Sequence, residues 1–141
     1  MRRFFDTNVL VYLFDASDRR KKARAQEVLS ESVNAGLALL STQVVQEFFV
    51  TVTRKLATPL SLDQAEQAVR DLSRLPIVEA NAEMILEAIA ITRRYRLSFW
   101  DALIVQAALR GGATVLYSED LGHGQVFETL TVRNPFVGLP S

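Results

Sequence analysis

Arg110-Gly111-Gly112-Ala113-Thr114-Val115-Leu116-Tyr117-Ser118-Glu119-Asp120 is the stretch on which the reading of the fold turns. A helix that begins at Ser98 runs to Arg110, Gly111-Gly112 stops it, and Ala113 to Tyr117 is the clearest buried-strand pattern in the chain. The strand delivers its chain directly into a polar turn that carries two acids. Helix, break, buried strand and acidic turn, in that order, are the repeating unit of a sheet whose strands run parallel and whose helices carry the chain back.

The same unit recurs toward the N-terminus. Arg3-Phe4-Phe5 is a short apolar strand that ends at Asp6, and Thr7-Asn8 supply cap-forming side chains before the apolar run Val9 to Leu13. A helix is expected from Arg19 to about Val33, closed near Asn34-Ala35-Gly36, and a second strand over Leu37 to Leu40. Ser41 and Thr42 can cap a helix through about Leu56, which must end before Thr58-Pro59. Ser61 with Gln64 three residues on has the pattern of a capping box and opens a helix to about Leu75. Pro76 precedes a brief strand at Ile77-Val78. Asn81 can cap the next helix, whose apolar face is expected to be Ile85, Leu86 and Ile89. A last strand is expected at Leu130 to Arg133. The alternation predicts an α/β fold, a three-layer α/β/α sandwich with a mainly parallel central sheet. With 141 residues and no repeat, low-complexity segment or linker, the chain reads as one domain over residues 1–141.

Composition narrows the chemistry. Hydrophobic residues are 49% and charged residues 23% of the chain, the balance of a folded protein and not of a disordered tail. The absence of cysteine excludes disulfides, thiolate zinc sites and a cysteine nucleophile, and a single histidine, His123, excludes a zinc site built from several imidazoles. The longest wholly apolar run, Val9 to Phe14, is far short of the ~18 residues that span a bilayer, so the expectation is a cytoplasmic protein without membrane contact. Sixteen basic and sixteen acidic residues cancel, yet five of the basic ones fall within Arg19 to Arg24, where they could meet phosphates or simply be solvated.

The acids are placed more tellingly. Ligands of parallel sheets bind beyond the carboxyl ends of the strands. Asp6 follows the first strand, Ser118-Glu119-Asp120 follows the Ala113 to Tyr117 strand, and Glu47 and Asp101 lie in the first turns of helices that start at that same edge. Each has a structural alternative. Asp6 suits a turn or cap, and Asp101 follows Ser98 at capping-box spacing. Glu47 borders the Val45, Phe48, Val52 stripe, and Glu119-Asp120 suits a polar turn. On a helical wheel, however, Asp101 falls between Ala108 and Val105, away from the polar side formed by Gln106 and Arg110. Taken together, several carboxylates in one enclosed site repel one another unless cations neutralise them. Oxygen donors without histidine or cysteine suit Mg2+ or Mn2+. Such ions serve phosphodiester hydrolysis.

At these residues the chain resembles the PIN-domain family, especially the VapC-like toxins of toxin–antitoxin systems. The segments that carry the resemblance are Phe5-Asp6-Thr7-Asn8-Val9-Leu10, the Glu47 helix, Phe99-Trp100-Asp101-Ala102-Leu103-Ile104 and Leu116-Tyr117-Ser118-Glu119-Asp120-Leu121, in that order over nearly the whole chain. The resemblance implies an endoribonuclease that cuts RNA with Mg2+ or Mn2+, works as a homodimer and is held by a small antitoxin protein. It implies that Asp6, Glu47 and Asp101 are the core metal-binding and catalytic carboxylates and Asp120 the fourth. Thr7 and Ser118 would be hydroxyls near the metal or phosphate, with Asn8 and Glu119 in support. Asp120 is preferred to its neighbour Glu119 because it stands two after Ser118. Trp100, Tyr12, Phe14, Phe48 and Phe49 are expected mainly in internal packing, and His123 in a loop.

Two other readings share Asp6. A phosphatase or phosphotransfer domain with an aspartyl nucleophile would also place an aspartate after the first strand, but Asn8 stands where its second aspartate belongs, and no lysine follows the Val115 strand. A catalytically inactive RNA-binding scaffold would have no use for four crowded acids.

Overall fold

The computed structural model describes residues 1–139; the last two residues of the expected domain lie outside the described residues. Six strands form one sheet in the order β3-β2-β1-β4-β6-β5. They are β1 (Arg2–Phe5), β2 (Ala38–Ser41), β3 (Ile77–Val78), β4 (Ala113–Tyr117), β5 (Val126–Phe127) and β6 (Leu130–Arg133). All neighbours are parallel except β5 and β6. The helices are α1 (Thr7–Tyr12), α2 (Arg19–Asn34), α3 (Thr42–Arg54), α4 (Leu62–Leu72), α5 (Ala82–Tyr95) and α6 (Phe99–Arg110). The expected α/β sandwich with a mainly parallel sheet is therefore the fold observed.

The order of the strands creates the site. The chain steps outward from β1 to β2 to β3, then returns across them to place β4 on the other side of β1. Right-handed crossovers in opposite directions put their helices on opposite faces, so the switch point of the sheet falls at the carboxyl ends of β1 and β4. The register is fixed by pairs Arg3↔Val115, Phe4↔Leu116 and Phe5↔Tyr117. The ladder continues one residue past β1, where the Asp6 amide donates to the Tyr117 carbonyl at 2.9 Å. Phe4, Phe5, Leu39, Leu40 and Leu116 are fully buried beneath α3 and α6.

Caps account for the helix starts. Asp18, Ser41, Ser61, Asn81 and Ser98 accept from the backbone amides of their first turns, and the Ser61/Gln64 capping box is complete. At α1 the expectation is corrected: Asp6 itself is the N-cap, accepting from the Thr7 amide, and Thr7 already lies inside the helix. Helices α3 and α4 end short of Leu56 and Leu75 because Thr58-Pro59 and Pro76 forbid a further turn.

Three side-chain expectations also change. The face of α5 at Ile85, Leu86 and Ile89 points outward, with Leu86 67% exposed, while Met84, Ala88 and Ile91 are buried. Both sets satisfy helical spacing, and the packed one has small Ala88 at its centre, which lets α6 approach closely. On α6, Gln106 is not on a solvated side: it is buried and donates to Glu87 Oε2 at 2.8 Å, beside Arg110, which pairs with Glu83 and Glu87. Trp100, expected in the core, is 62% exposed at the start of α6. Val126–Phe127 is a strand without an expectation behind it. It folds back on β6 through a two-residue turn in which Glu128 takes a left-handed conformation (φ 55°), a place usually given to glycine or asparagine.

Candidate active site

Asp6 is the buried acid at the switch point of the sheet. Its carboxylate is 7% exposed and doubly held: Oδ1 accepts from the Thr7 amide at 2.8 Å, and Oδ2 accepts from the Ser118 hydroxyl at 2.8 Å. Ser118 is itself buried and pinned, its Oγ accepting the backbone amides of Asp120 (3.2 Å) and Leu121 (3.3 Å). One hydroxyl thus joins the end of β1 to the turn after β4.

Burial lifts the Asp6 carboxyl from 3.8 to about 6, against the lowering effect of those two hydrogen bonds, and the negative charges of Asp120 and Glu47 push in the same direction as burial. Three acids from three elements therefore act on one another. Asp120 is fixed by Asn8, whose Nδ2 donates to Asp120 Oδ2 at 3.0 Å, while Asn8 Oδ1 accepts the Glu119 amide at 3.1 Å. Glu47, on the first turns of α3, receives a long hydrogen bond of 3.4 Å from the Thr7 hydroxyl. Thr7, Asn8, Glu47 and Asp120 line a cleft of about 350 Å3 together with Thr51 and Lys55.

Asp101 is the exception among the expected site residues. It lies in the first turn of α6, half-buried, with its amide donating to the Ser98 hydroxyl at 3.2 Å. Gln43 Nε2 donates to the Trp100 carbonyl at 3.2 Å, which ties the start of α3 to the start of α6 at the carboxyl edge of the sheet. No hydrogen bond or ion pair joins the Asp101 carboxylate to Asp6, Glu47 or Asp120, and neither Asp101 nor Asp6 lines the cleft.

The choice between the adjacent acids after β4 falls to geometry. Glu119 turns away from the cleft and pairs with Lys21 and Tyr12, whereas Asp120 faces Asn8 and acts on Asp6. The basic cluster at Arg19 to Arg24 is correspondingly less available than its sequence implies. Lys21 is taken by Glu119, and Arg24 donates to the Pro135 carbonyl and to Glu27. His123 accepts the Asn134 amide on Nδ1 at 3.0 Å and braces the loop before β5. Lys55, which the sequence marks only as half of the basic pair Arg54-Lys55 able to contact phosphates, lines the cleft; the spacing Glu47, Thr51, Lys55 keeps it on the same side of α3.

The donors suit a hard divalent cation in kind: carboxylates and hydroxyls, with one buried carboxyl whose ionisation its neighbours oppose. Among the described residues no three or more His, Cys, Asp or Glu side chains are grouped closely enough to hold a metal ion by themselves.

The profile of the PIN domain family matches residues 3–126. In structure, the chain is similar to the sarcin-ricin loop cleaving toxin VapC20 of Mycobacterium tuberculosis, with a TM-score of 0.67 at 19% identity over 84% of this chain and 89% of that one. It is similar to a chain of a toxin–antitoxin complex from Klebsiella pneumoniae (0.71, 22%, 94% and 97%). A third likeness is to VapBC2 from Rickettsia felis bound to a fragment of promoter DNA (0.68, 17%, 94% and 98%). At these identities the likeness is one of fold. No curated protein matches the sequence.

Proposed function

We propose that this chain, which belongs to the PIN domain family, is a Mg2+- or Mn2+-dependent endoribonuclease and the toxin of a toxin–antitoxin pair. The observation that carries the proposal is the buried Asp6 carboxyl at the joined carboxyl ends of β1 and β4, acted on by the charges of Asp120 and Glu47. The neighbours of like fold include a sarcin-ricin loop cleaving toxin and toxin–antitoxin complexes, which supports both the RNA substrate and a small antitoxin as partner.

A divalent cation, when bound, supplies an acidified water and offsets the charge that gathers on a phosphate under attack. The chain's own residues do the rest. Asp6, oriented by Thr7 and Ser118, and Asp101, at the mouth of α6, would hold the cation. Asp120, steered by Asn8, and Glu47, steered by Thr7, would complete its contacts or orient the water and take its proton. A lowered ionisation tendency at Asp6 is relieved when a cation binds, so the buried carboxylate is charged when it is needed.

Antitoxin and second copy have apolar surface to use. A groove of about 560 Å3 between α3 and α4, lined by Val45, Phe49, Leu62 and Val69, runs beside the helix that bears Glu47. An antitoxin segment seated there would lie next to the cleft, and we assign homodimer formation to the remaining exposed apolar faces. Among the described residues no helix is long and apolar enough to cross a membrane. RNA cleavage in the cytoplasm is the setting this reading requires.

The test is direct. Purified protein freed of partners should cut RNA on addition of Mg2+ or Mn2+, and Asp6→Asn or Asp101→Asn should abolish cutting with the fold intact. Equal cleavage in excess chelator would reject the reading. Sequencing of RNA ends after controlled expression identifies the target.

A further inference from the structure

The two acids after β4 are neighbours in sequence and opposites in direction. Glu119 Oε1 accepts from the Tyr12 hydroxyl at 2.8 Å, and its other oxygen pairs with the Lys21 ammonium. Lys21 Nζ also donates to the Tyr12 hydroxyl at 3.1 Å and lies 4.8 Å from the Tyr12 ring centroid and 5.4 Å from that of Phe136. Tyr12 in turn meets Phe136 edge-on at 4.9 Å. The ion pair is half-buried, with side chains 30% and 25% exposed, so it is shielded better than a surface pair. On the other side of the same peptide, Asn8 grips the Glu119 amide and the Asp120 carboxylate together.

From this arrangement we propose that Lys21 is a positioning residue for the cleft: by claiming Glu119 it leaves Asp120 alone to face Asp6 and the cation. The inference rests on the proposed metal-dependent reading of the site and adds to it a residue on α2, 98 positions from the Glu119 it pairs with. Without the ammonium, Glu119 is a free carboxylate beside an acidic cleft. It then repels Asp120, loosens the grip of Asn8 on the turn, and competes for the cation in the wrong place. Lys21 also provides a reason for one member of the basic cluster that is not solvation or RNA contact.

The experiment uses the full chain and Mg2+ alone as the probe. The Mg2+ concentration at half-maximal thermal stabilisation is measured for wild type, Lys21→Met, Lys21→Arg, Glu119→Gln and the Met/Gln double variant, with Mg2+-dependent RNA cleavage as a second readout. Loss of an outer partner of a metal site weakens affinity by about 10- to 100-fold. Because Lys21 acts through Glu119, about a tenfold rise in the half-maximal Mg2+ is expected for Lys21→Met, with cleavage at saturating Mg2+ within about twofold of wild type. Lys21→Arg should restore most of the affinity, and Glu119→Gln should cost less in the Lys21→Met background than in wild type. An unchanged Mg2+ midpoint in Lys21→Met, or penalties that simply add, overturns the proposal, as does a wild type that Mg2+ does not stabilise at all. A wild type that binds Mg2+ and cuts no RNA sinks the ribonuclease reading instead, and the midpoints then decide the role of Lys21 on their own.

Discussion

Replacing Asp6 by asparagine should kill the enzyme and stabilise the protein. Burial raises the Asp6 carboxyl to about 6 from its ordinary 3.8. Below pH 3.8 both folded and unfolded chains carry the proton, and the group has no effect on stability. Between 3.8 and 6 the unfolded chain has released its proton and the folded one has not, so stability falls as pH rises. Above 6 the loss is complete, and amounts to about 3 kcal/mol. Asp6→Asn removes that loss. It keeps an oxygen to accept the Thr7 amide but leaves the Ser118 hydroxyl without its acceptor, at a cost of about 1 kcal/mol. The net expectation at pH 8 is a variant more stable by about 2 kcal/mol, or about 6 °C in Tm for a chain of this size, and at pH 3.5 one less stable by about 1 kcal/mol. Urea unfolding followed by circular dichroism from pH 3.5 to 8, in chelator, measures the difference directly. A difference between the two proteins that does not change with pH refutes the argument, because it would mean that Asp6 is charged in the fold without penalty. Adding Mg2+ should then stabilise wild type, by about 2.7 kcal/mol at a hundred times the dissociation constant, and leave Asp6→Asn where it was.

Other expectations follow from neighbouring features. Asp101→Asn should lower Mg2+-dependent cleavage by about 100-fold or more, while unfolding shows a loss of no more than about 1 kcal/mol from the helix N-terminus of α6. Lys55 lines the cleft from the end of α3, about 12 Å along the helix from Glu47. Lys55→Ala should raise KM for RNA, leave kcat near wild type, and reduce the dependence of binding on log salt by about one phosphate contact. At Gly111 an added Cβ would stand 2.3 Å from Leu39 Cδ2 and 2.9 Å from Val78 Cγ2. Gly111→Ala should therefore cost about 2 kcal/mol in denaturant unfolding and show a lower midpoint without a changed slope.

What the sequence made legible was whatever is encoded locally. Gly111-Gly112 before Ala113 to Tyr117, and the serine and asparagine caps, mark their elements with residues whose physics needs no tertiary partner. Strand β5 escaped because it has two residues and its turn uses Glu128 rather than glycine. The face of α5 was misread because Ile85 and Ile89 satisfy the helical period as well as Met84, Ala88 and Ile91 do. Hydrophobicity alone favours the wrong set. In the site, Asp6 and its junction with the turn after β4 could be inferred from strand order. The preference for Asp120 over Glu119 rested on spacing alone, and the contacts of Glu119 with Lys21 and Tyr12, about a hundred residues away, are invisible along the chain. How Asp101 stands relative to the other acids depends on how α6 packs on the sheet, and no pattern along the chain reports it.

The pairing of β1 with β4 has a temporal side. Residues 6 and 118, and 8 and 120, meet across most of the chain's length, and contacts so far apart close only after the intervening loop entropy has been overcome. The acids at the ends of β1 and β4 are thus brought together only when that pairing closes, after the segments between them have found their own local structure. A fragment that stops before Ser118 should therefore lack the junction at Asp6 however well its earlier helices fold.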